Sequence, residues 1–284
     1  MKLYKYNFVE DIRKYDEDTY FVIGNDKNFH KVRIDQETSV EAHRTEYFLN
    51  YIKSKGSQFI SVNTDINLIN YGDNELIYIL DNGKGINKYV LLVAQPIFSN
   101  LIKEEYVNLI KLSKLCKNIV IPLEYIDCKD RKAFITPYIS NARSISVMND
   151  FGSYIPELGN KFFEFSEDGR YVVNKVIIAN LVKLYNEKEQ KGLANVRIAD
   201  GDFILDKKTD MIELTEKNIL ENMYLVSARK LINLDFKSYL RLIRKEFSKL
   251  VYFSEKNIIN DKSRVNMTQD EIEDGIKLGL YLRK

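Results

Sequence analysis

The chain has 284 residues, 45% hydrophobic and 30% charged, which is enough apolar side chain for a buried core and excludes a wholly disordered chain. Its 43 Lys and Arg against 41 Asp and Glu leave a formal charge of +2, so whole-molecule attraction to nucleic acid or anionic lipid is excluded and any such binding is confined to a local patch. Two cysteines, Cys116 and Cys128, and two histidines, His30 and His43, exclude a Cys-rich zinc site and a disulfide framework, and imply a reduced, cytoplasmic setting.

The amino terminus, MKLYKYNFVEDIRKYDED, carries charges throughout and lacks the apolar core of a signal peptide. TYFVIG (19–24) and NFHKVRI (28–34) predict a hairpin, since β-branched and aromatic runs flank a turn. EAHRTEYFLNYIKSKG (41–56) places Phe48, Leu49 and Ile52 at helical spacing and ends on Gly56. ELIYIL (75–80) and YVLLVAQ (89–95) predict the clearest strand pair, joined by DNGKGINK with positive-φ candidates at Gly83 and Gly85. The most apolar stretch, 89–98, is about half a membrane span, so no membrane is expected.

NLIKEEYVNLIKLSKL (100–115) predicts a helix with Leu101, Glu105, Leu109, Leu112 and Leu115 on one broad face. NIVIPLEYI (118–126) and KAFITPYI (132–139) predict strands around the turn DCKDR, and NKVIIANLVKLYNEKEQKG (174–192) predicts a helix stopped by Gly192. FIL (203–205) and MIEL (211–214) predict a small hairpin. LDFKSYLRLIRKEFSKLVYF (234–253) predicts an amphipathic helix with apolar positions Phe236, Leu240, Ile243, Phe247 and Leu250. A last helix begins at Thr268, which forms a capping box with Glu271.

This order of elements resembles the protein-kinase-like superfamily, protein kinases and aminoglycoside phosphotransferases together, over roughly residues 75 to 253. NIVIPLEYIDCKDRKAFITPYIS looks like the family's passage from fourth strand to hinge, and QKGLANVRIADGDFIL like its helix end, catalytic loop and seventh strand. The resemblance implies an α+β, two-lobed fold. The strand-rich N-terminal lobe covers 1–139, with 1–74 either part of it or an added element, and the mainly helical C-terminal lobe covers 140–284.

The chemistry implied is degraded. Gln95 stands where the family has the lysine that holds nucleotide phosphates, and Glu105, or else Glu104, matches that lysine's helix glutamate. These two, Gln95 and Glu105, are the nucleotide-site candidates; a solvent-facing helix charge is the equal alternative for Glu105. Val196 replaces the catalytic-loop His, Arg197 matches its Arg, Ile198 replaces the catalytic Asp and Phe203 the metal-binding Asn. Isoleucine accepts no proton and phenylalanine binds no magnesium. Glu213 is the best match for the Asp of the Asp-Phe-Gly motif, three residues short of its usual spacing, with Thr215 in place of the glycine. The triple-glycine phosphate loop is missing, and Pro137 removes a backbone donor near the hinge.

The resemblance therefore implies a catalytically inactive, pseudokinase-like protein acting as a binding or regulatory module, with a protein partner and no cofactor. The alternative is a divergent phosphotransferase or nucleotidyltransferase using Mg-ATP, in which Asp200 or Asp202 is the base and Glu213 the metal ligand; against it, a polar turn before a strand is the commoner meaning of Asp200-Gly201-Asp202. A third reading rests on the basic stripe Lys237, Arg241, Lys245 and Lys249, successive i+4 positions that suit nucleic-acid phosphates, although a solvated helix face is the commoner meaning of such a stripe. His30 and His43 lie in different elements and read as structural.

Overall fold

The computed structural model describes residues 2–6, 10–14, 19–24, 29–33, 37–71, 75–83, 88–139, 142–144, 167–194, 203–206, 215–248 and 267–284. They belong to an α+β chain of two units, unit 1 comprising 1–106 with 122–138 and unit 2 comprising 107–121 with 139–284.

Unit 1 opens with β1 (Lys2–Tyr6), followed by an antiparallel meander of β2 (Glu10–Lys14), β3 (Thr19–Gly24) and β4 (Phe29–Arg33). α1 (Glu37–Lys55) then leads to β5 (Asp65–Tyr71), β6 (Glu75–Asp81) and β7 (Lys88–Ala94). A 3-10 turn (Pro96–Phe98) and α2 (Ser99–Ser113) precede β8 (Glu124–Cys128) and β9 (Lys132–Pro137). α2 counts in unit 1 as far as Tyr106 and in unit 2 beyond it.

Strand alternation decides how the six-stranded sheet β1-β8-β9-β7-β6-β5 is buried. On one face Leu76, Tyr78, Leu80, Leu91, Val93, Ile126, Cys128, Ala133 and Ile135 form a single cluster with Phe48, Leu49 and Ile52 of α1. Fully burying a Val, Leu, Ile or Phe side chain of this cluster contributes about 1.5–3 kcal/mol. The other parity, Leu92, Tyr125 and Phe134, is buried as well, and Tyr106 of α2 packs on Tyr125 (ring centroids 4.7 Å apart) and Phe134 (6.0 Å). A sheet covered on both faces explains why its strands read as nearly continuous apolar runs.

The β6–β7 hairpin forms as the DNG sequence predicts. Gly83 has φ +70°, and its N–H donates to the Asp81 carboxylate at 2.9 Å, holding that carboxyl below its usual range. α1 ends on Gly56 at φ +69°, as expected, but begins at Glu37 rather than Glu41.

Three expectations in this part of the chain are corrected. Leu101 and Leu115 of the predicted α2 face are partly exposed, at 38% and 39%. The buried stripe is instead Ile102, Glu105, Tyr106, Leu109 and Leu112, continued by Cys116. The strand expected from Asn118 starts at Glu124, because Ile119 and Val120 are held by Leu225 and Pro122 offers no N–H. The turn is shorter than DCKDR, since Asp127 and Cys128 still belong to β8.

Unit 2 contains β10 (Ala142–Ser144), α3 (Glu167–Lys183), β11 (Lys191–Ala194), β12 (Phe203–Asp206), α4 (Glu216–Asn222), β13 (Met223–Leu225), β14 (Lys230–Asn233), α5 (Phe236–Phe247) and α6 (Gln269–Leu282). β10-β12-β13 and β11-β14 are its two small sheets.

Gly192 does not stop α3, which ends at Lys183. The Asn186 side chain accepts the N–H groups of Lys188 and Glu189, which turns the chain out of the helix. Gly192 lies in β11 because a Cβ there would sit 2.2 Å from the Tyr239 ring. On α5 the fully buried positions are Tyr239, Ile243 and Phe247, so Tyr239 takes the place expected for Leu240; Leu250 lies outside the described residues. The Tyr239 hydroxyl donates to the Leu193 and Leu181 carbonyls, at 3.1 and 3.3 Å, which lets a tyrosine fill the core.

α6 packs closely on α3 through its glycines. Cβ atoms added at Gly275 and Gly279 would lie 2.7 and 2.9 Å from the carbonyls of Lys175 and Ala179, and 2.6 Å from the side chains of Ile178 and Val182. The predicted capping box is present: the Glu271 N–H donates to Thr268 Oγ1 (3.2 Å) and the Thr268 N–H to the Glu271 carboxylate (2.6 Å). That carboxylate also accepts from Asn174 of α3 at 2.9 Å. Tyr171 donates to Asp274 (2.6 Å), and Arg244 grips Glu273 through two nitrogens, at 2.6 and 2.9 Å. Among the described residues, no helix is long and apolar enough to cross a membrane.

Two outcomes are expected. Gly279→Ala should lower stability by about 1–2 kcal/mol in urea titration, because the overpacking against α3 exceeds the gain in helix propensity. Stability equal to or above the parent would mean that the helices separate without cost.

The Tyr171 hydroxyl holds Asp274, and the Arg244 guanidinium Glu273, below the usual carboxylate range. Each therefore stays charged in the folded chain after its unfolded counterpart has taken up a proton. The stability they contribute is complete above the unfolded values of 3.8 and 4.5 and is lost as pH falls through the lower folded ones. Melting curves between pH 7 and pH 3 should thus fall less steeply at the acid end in Asp274→Asn/Glu273→Gln than in the parent. Parallel curves would assign the acid sensitivity to other groups.

Candidate functional site

In unit 1, the end of β7 fixes the first candidate. Gln95 follows Ala94 with extended backbone (φ −64°, ψ 148°) and caps the 3-10 turn, its carbonyl accepting from the Phe98 N–H at 2.9 Å. Gln95 is half-buried and engaged by a further interaction with a neighbouring group. Glu105 is buried, 1% exposed, and it too is engaged by a neighbouring group. The alternative of a solvent-facing charge is therefore set aside for Glu105, since an acid at that depth persists only when engaged. Glu104, the other candidate, is exposed.

Glycine supply around these strands is poor. The β5–β6 connection, 72–74, contains only Gly72, and the β6–β7 connection contains Gly83 and Gly85. Neither offers the backbone freedom that a phosphate-enclosing loop draws from three glycines.

In unit 2, Asp200, Asp202 and Glu213, with Val196, Arg197 and Ile198, lie outside the described residues. What is described there is the scaffold. Phe203 opens β12, 1% exposed, directly across from Leu225 of β13. β12 is central in its sheet, with β10 on one side and β13 on the other. The expected hairpin of 203–205 with 211–214 is thus replaced: both edges of β12 are taken, and 211–214 lie outside the described residues.

The strand beside β12 is Met223–Leu225, and the chain passes through Val226, Ser227, Ala228 and Arg229 into β14, which pairs back with β11. This segment is fixed from 107–121. The Val120 N–H donates to the Leu225 carbonyl (2.9 Å), the Leu225 N–H to the Asn118 carbonyl (3.0 Å), and Asn108 Nδ2 to the Ala228 carbonyl (2.9 Å). The side chain of Asn118 reaches the Leu220 carbonyl. The sequence reading missed this arrangement. Its only signal was the three-residue apolar run Met223-Tyr224-Leu225, too short to stand out.

The basic stripe is placed on α5. Lys237, Arg241 and Lys245 are exposed, on the side away from Tyr239, Ile243 and Phe247; Lys249 lies outside the described residues. Elsewhere, burial pushes the Cys128 thiol up to about 12, with Asp127 and Asp130 adding to the effect, so this cysteine is protonated and unreactive at neutral pH. Among the described residues, no three His, Cys, Asp or Glu side chains gather as a metal site. His30 and His43 fall on β4 and α1.

No protein-family model matches the chain, and no curated protein sequence matches it. Among solved structures, it is similar to the kinase PK-1 of Cydia pomonella granulovirus, with 14% identity and a TM-score of 0.41 over 70% of this chain and 60% of that one. It is also similar to the autoinhibited serine kinase domain of the giant muscle protein titin, with 12% identity and a TM-score of 0.44 over 77% of this chain and 74% of that one. Both are kinases. The chain spans less than two thirds of the length of the viral kinase.

Phe203 offers a direct test of its packing role. Phe203→Asn should lower stability by about 3–5 kcal/mol in urea titration, as expected for losing a buried aromatic, and should confer no magnesium binding by calorimetry. A stable variant that binds magnesium would mean the side chain faces a usable site.

Proposed function

We propose that this chain is a catalytically inactive, protein-kinase-like module of the pseudokinase kind that works by binding another protein. The observation that carries the reading is Phe203. Where the family places the asparagine that holds magnesium, this chain has a phenylalanine buried against Leu225, committed to packing and without a ligand atom.

Two further features support it. Gln95 gives the end of β7 a neutral amide, which forgoes the point-charge attraction to phosphates that a lysine supplies. The strand that pairs with β12 is followed by Val226-Ser227-Ala228-Arg229, which contains no carboxylate to take the metal-binding role there. Glu213, the earlier match for that role, precedes both α4 and β13 in the chain. With Ile198 at the position of the catalytic aspartate, phosphoryl transfer lacks a proton acceptor as well as a metal ligand. Binding is what the fold retains. We place the module in the cytoplasm, with a strand-rich lobe over 1–139 and a mainly helical lobe over 140–284.

The test is thermal unfolding with and without ATP and magnesium, because a ligand that binds only the folded chain must raise the midpoint; saturation at a hundred times Kd is worth about 2.7 kcal/mol. We expect no shift at millimolar nucleotide. A magnesium-dependent rise abolished in Glu213→Gln or Asp202→Ala would overturn the proposal in favour of a divergent phosphotransferase.

A further inference from the structure

We propose that the exposed face of α5 is a docking surface for the phosphate backbone of a nucleic acid, with Lys237, Arg241 and Lys245 as its contacts. The three are exposed and stand at i+4 spacing, so their Cα atoms rise about 6 Å from one to the next along the helix.

Helix stability does not account for this row. Like charges at i and i+4 repel and destabilise the helix that carries them. Lys237 also stands in the first turn, where the helix dipole disfavours a cation. Among the described residues, none of the three has an acid within ion-pair distance, whereas the adjacent Arg244 is held by Glu273. A row of uncompensated cations is relieved by a ligand with regularly repeated negative charge.

The same helix disfavours an anionic membrane as the occupant. An interfacial helix inserts its apolar face between lipid chains; here Tyr239, Ile243 and Phe247 are buried in unit 2. The face left to solvent is polar and carries the stripe. A polyanion meets it without unfolding the chain.

The experiment is fluorescence anisotropy of the full chain with a labelled single-stranded oligonucleotide across a salt series, compared with Lys237→Glu/Arg241→Glu/Lys245→Glu. A control, Lys111→Glu/Lys114→Glu/Lys117→Glu, makes the same change in net charge at exposed positions away from α5. Three phosphate contacts give a log–log salt slope of about −2 to −3. The stripe variant should lose at least about tenfold in affinity and most of that slope, while the control should stay within about threefold of the parent.

A neutral variant, Lys237→Gln/Arg241→Gln/Lys245→Gln, should fall between the parent and the charge reversal, and it remains informative if the reversal misfolds. Equal losses in stripe and control variants would overturn the proposal, as would absent binding by the parent. So would binding only to vesicles containing phosphatidylserine, which would assign the face to a lipid surface.

Discussion

Leu225 decides what the candidate site is made of. On one edge it pairs with Phe203, and on the other it exchanges backbone hydrogen bonds with the Asn118–Val120 segment. A strand of three residues has little stability alone; held on both sides, β13 becomes the permanent neighbour of β12. That choice sets the residues of the following turn as Val226 to Arg229, and it closes the edge of β12 that another strand would have used. The chemistry available beside β12 is therefore a consequence of where one short apolar run docks.

The sheet of unit 1 shows a related economy. Both parities of β8 and β9 and the second half of β7 are buried, and little surface remains on these stretches for polar side chains of functional use. Glu105 is the informative departure. It occupies a position on the buried stripe of α2 where a leucine would pack without difficulty, yet the chain keeps an acid there and engages it.

The parts of the fold that were legible in the sequence are those whose cause is local. β6, β7 and β9 carry enough apolar residues between recognisable turns, Gly56 and Gly83 supply the positive φ that their turns require, and Thr268 with Glu271 writes a helix start in four residues. What was misread depends on partners distant in the chain. β1 pairs in parallel with β8 more than a hundred residues away, β13 needs Asn118–Val120, and Tyr239 is core because the Leu193 carbonyl receives its hydroxyl. Gly192 illustrates the difference well: the sequence offers a helix stop, while the structure uses the missing Cβ to admit an aromatic ring. The candidate site divides along the same line. The place of Gln95 at the end of β7 was legible because the strand is obvious, whereas the identity of the segment beside β12 was hidden in the pairing of β13.

Gln95 and Phe203 differ in how firmly packing fixes them. Gln95 stands at a half-buried strand end whose extended backbone accepts other residues as readily. Phenylalanine at 203 is another matter, since its ring contributes to the core of unit 2 and a polar residue there would meet a dry surface. Substitution at Phe203 is therefore costly to the fold, whereas the exposed surface, including the α5 face, accepts change at little cost.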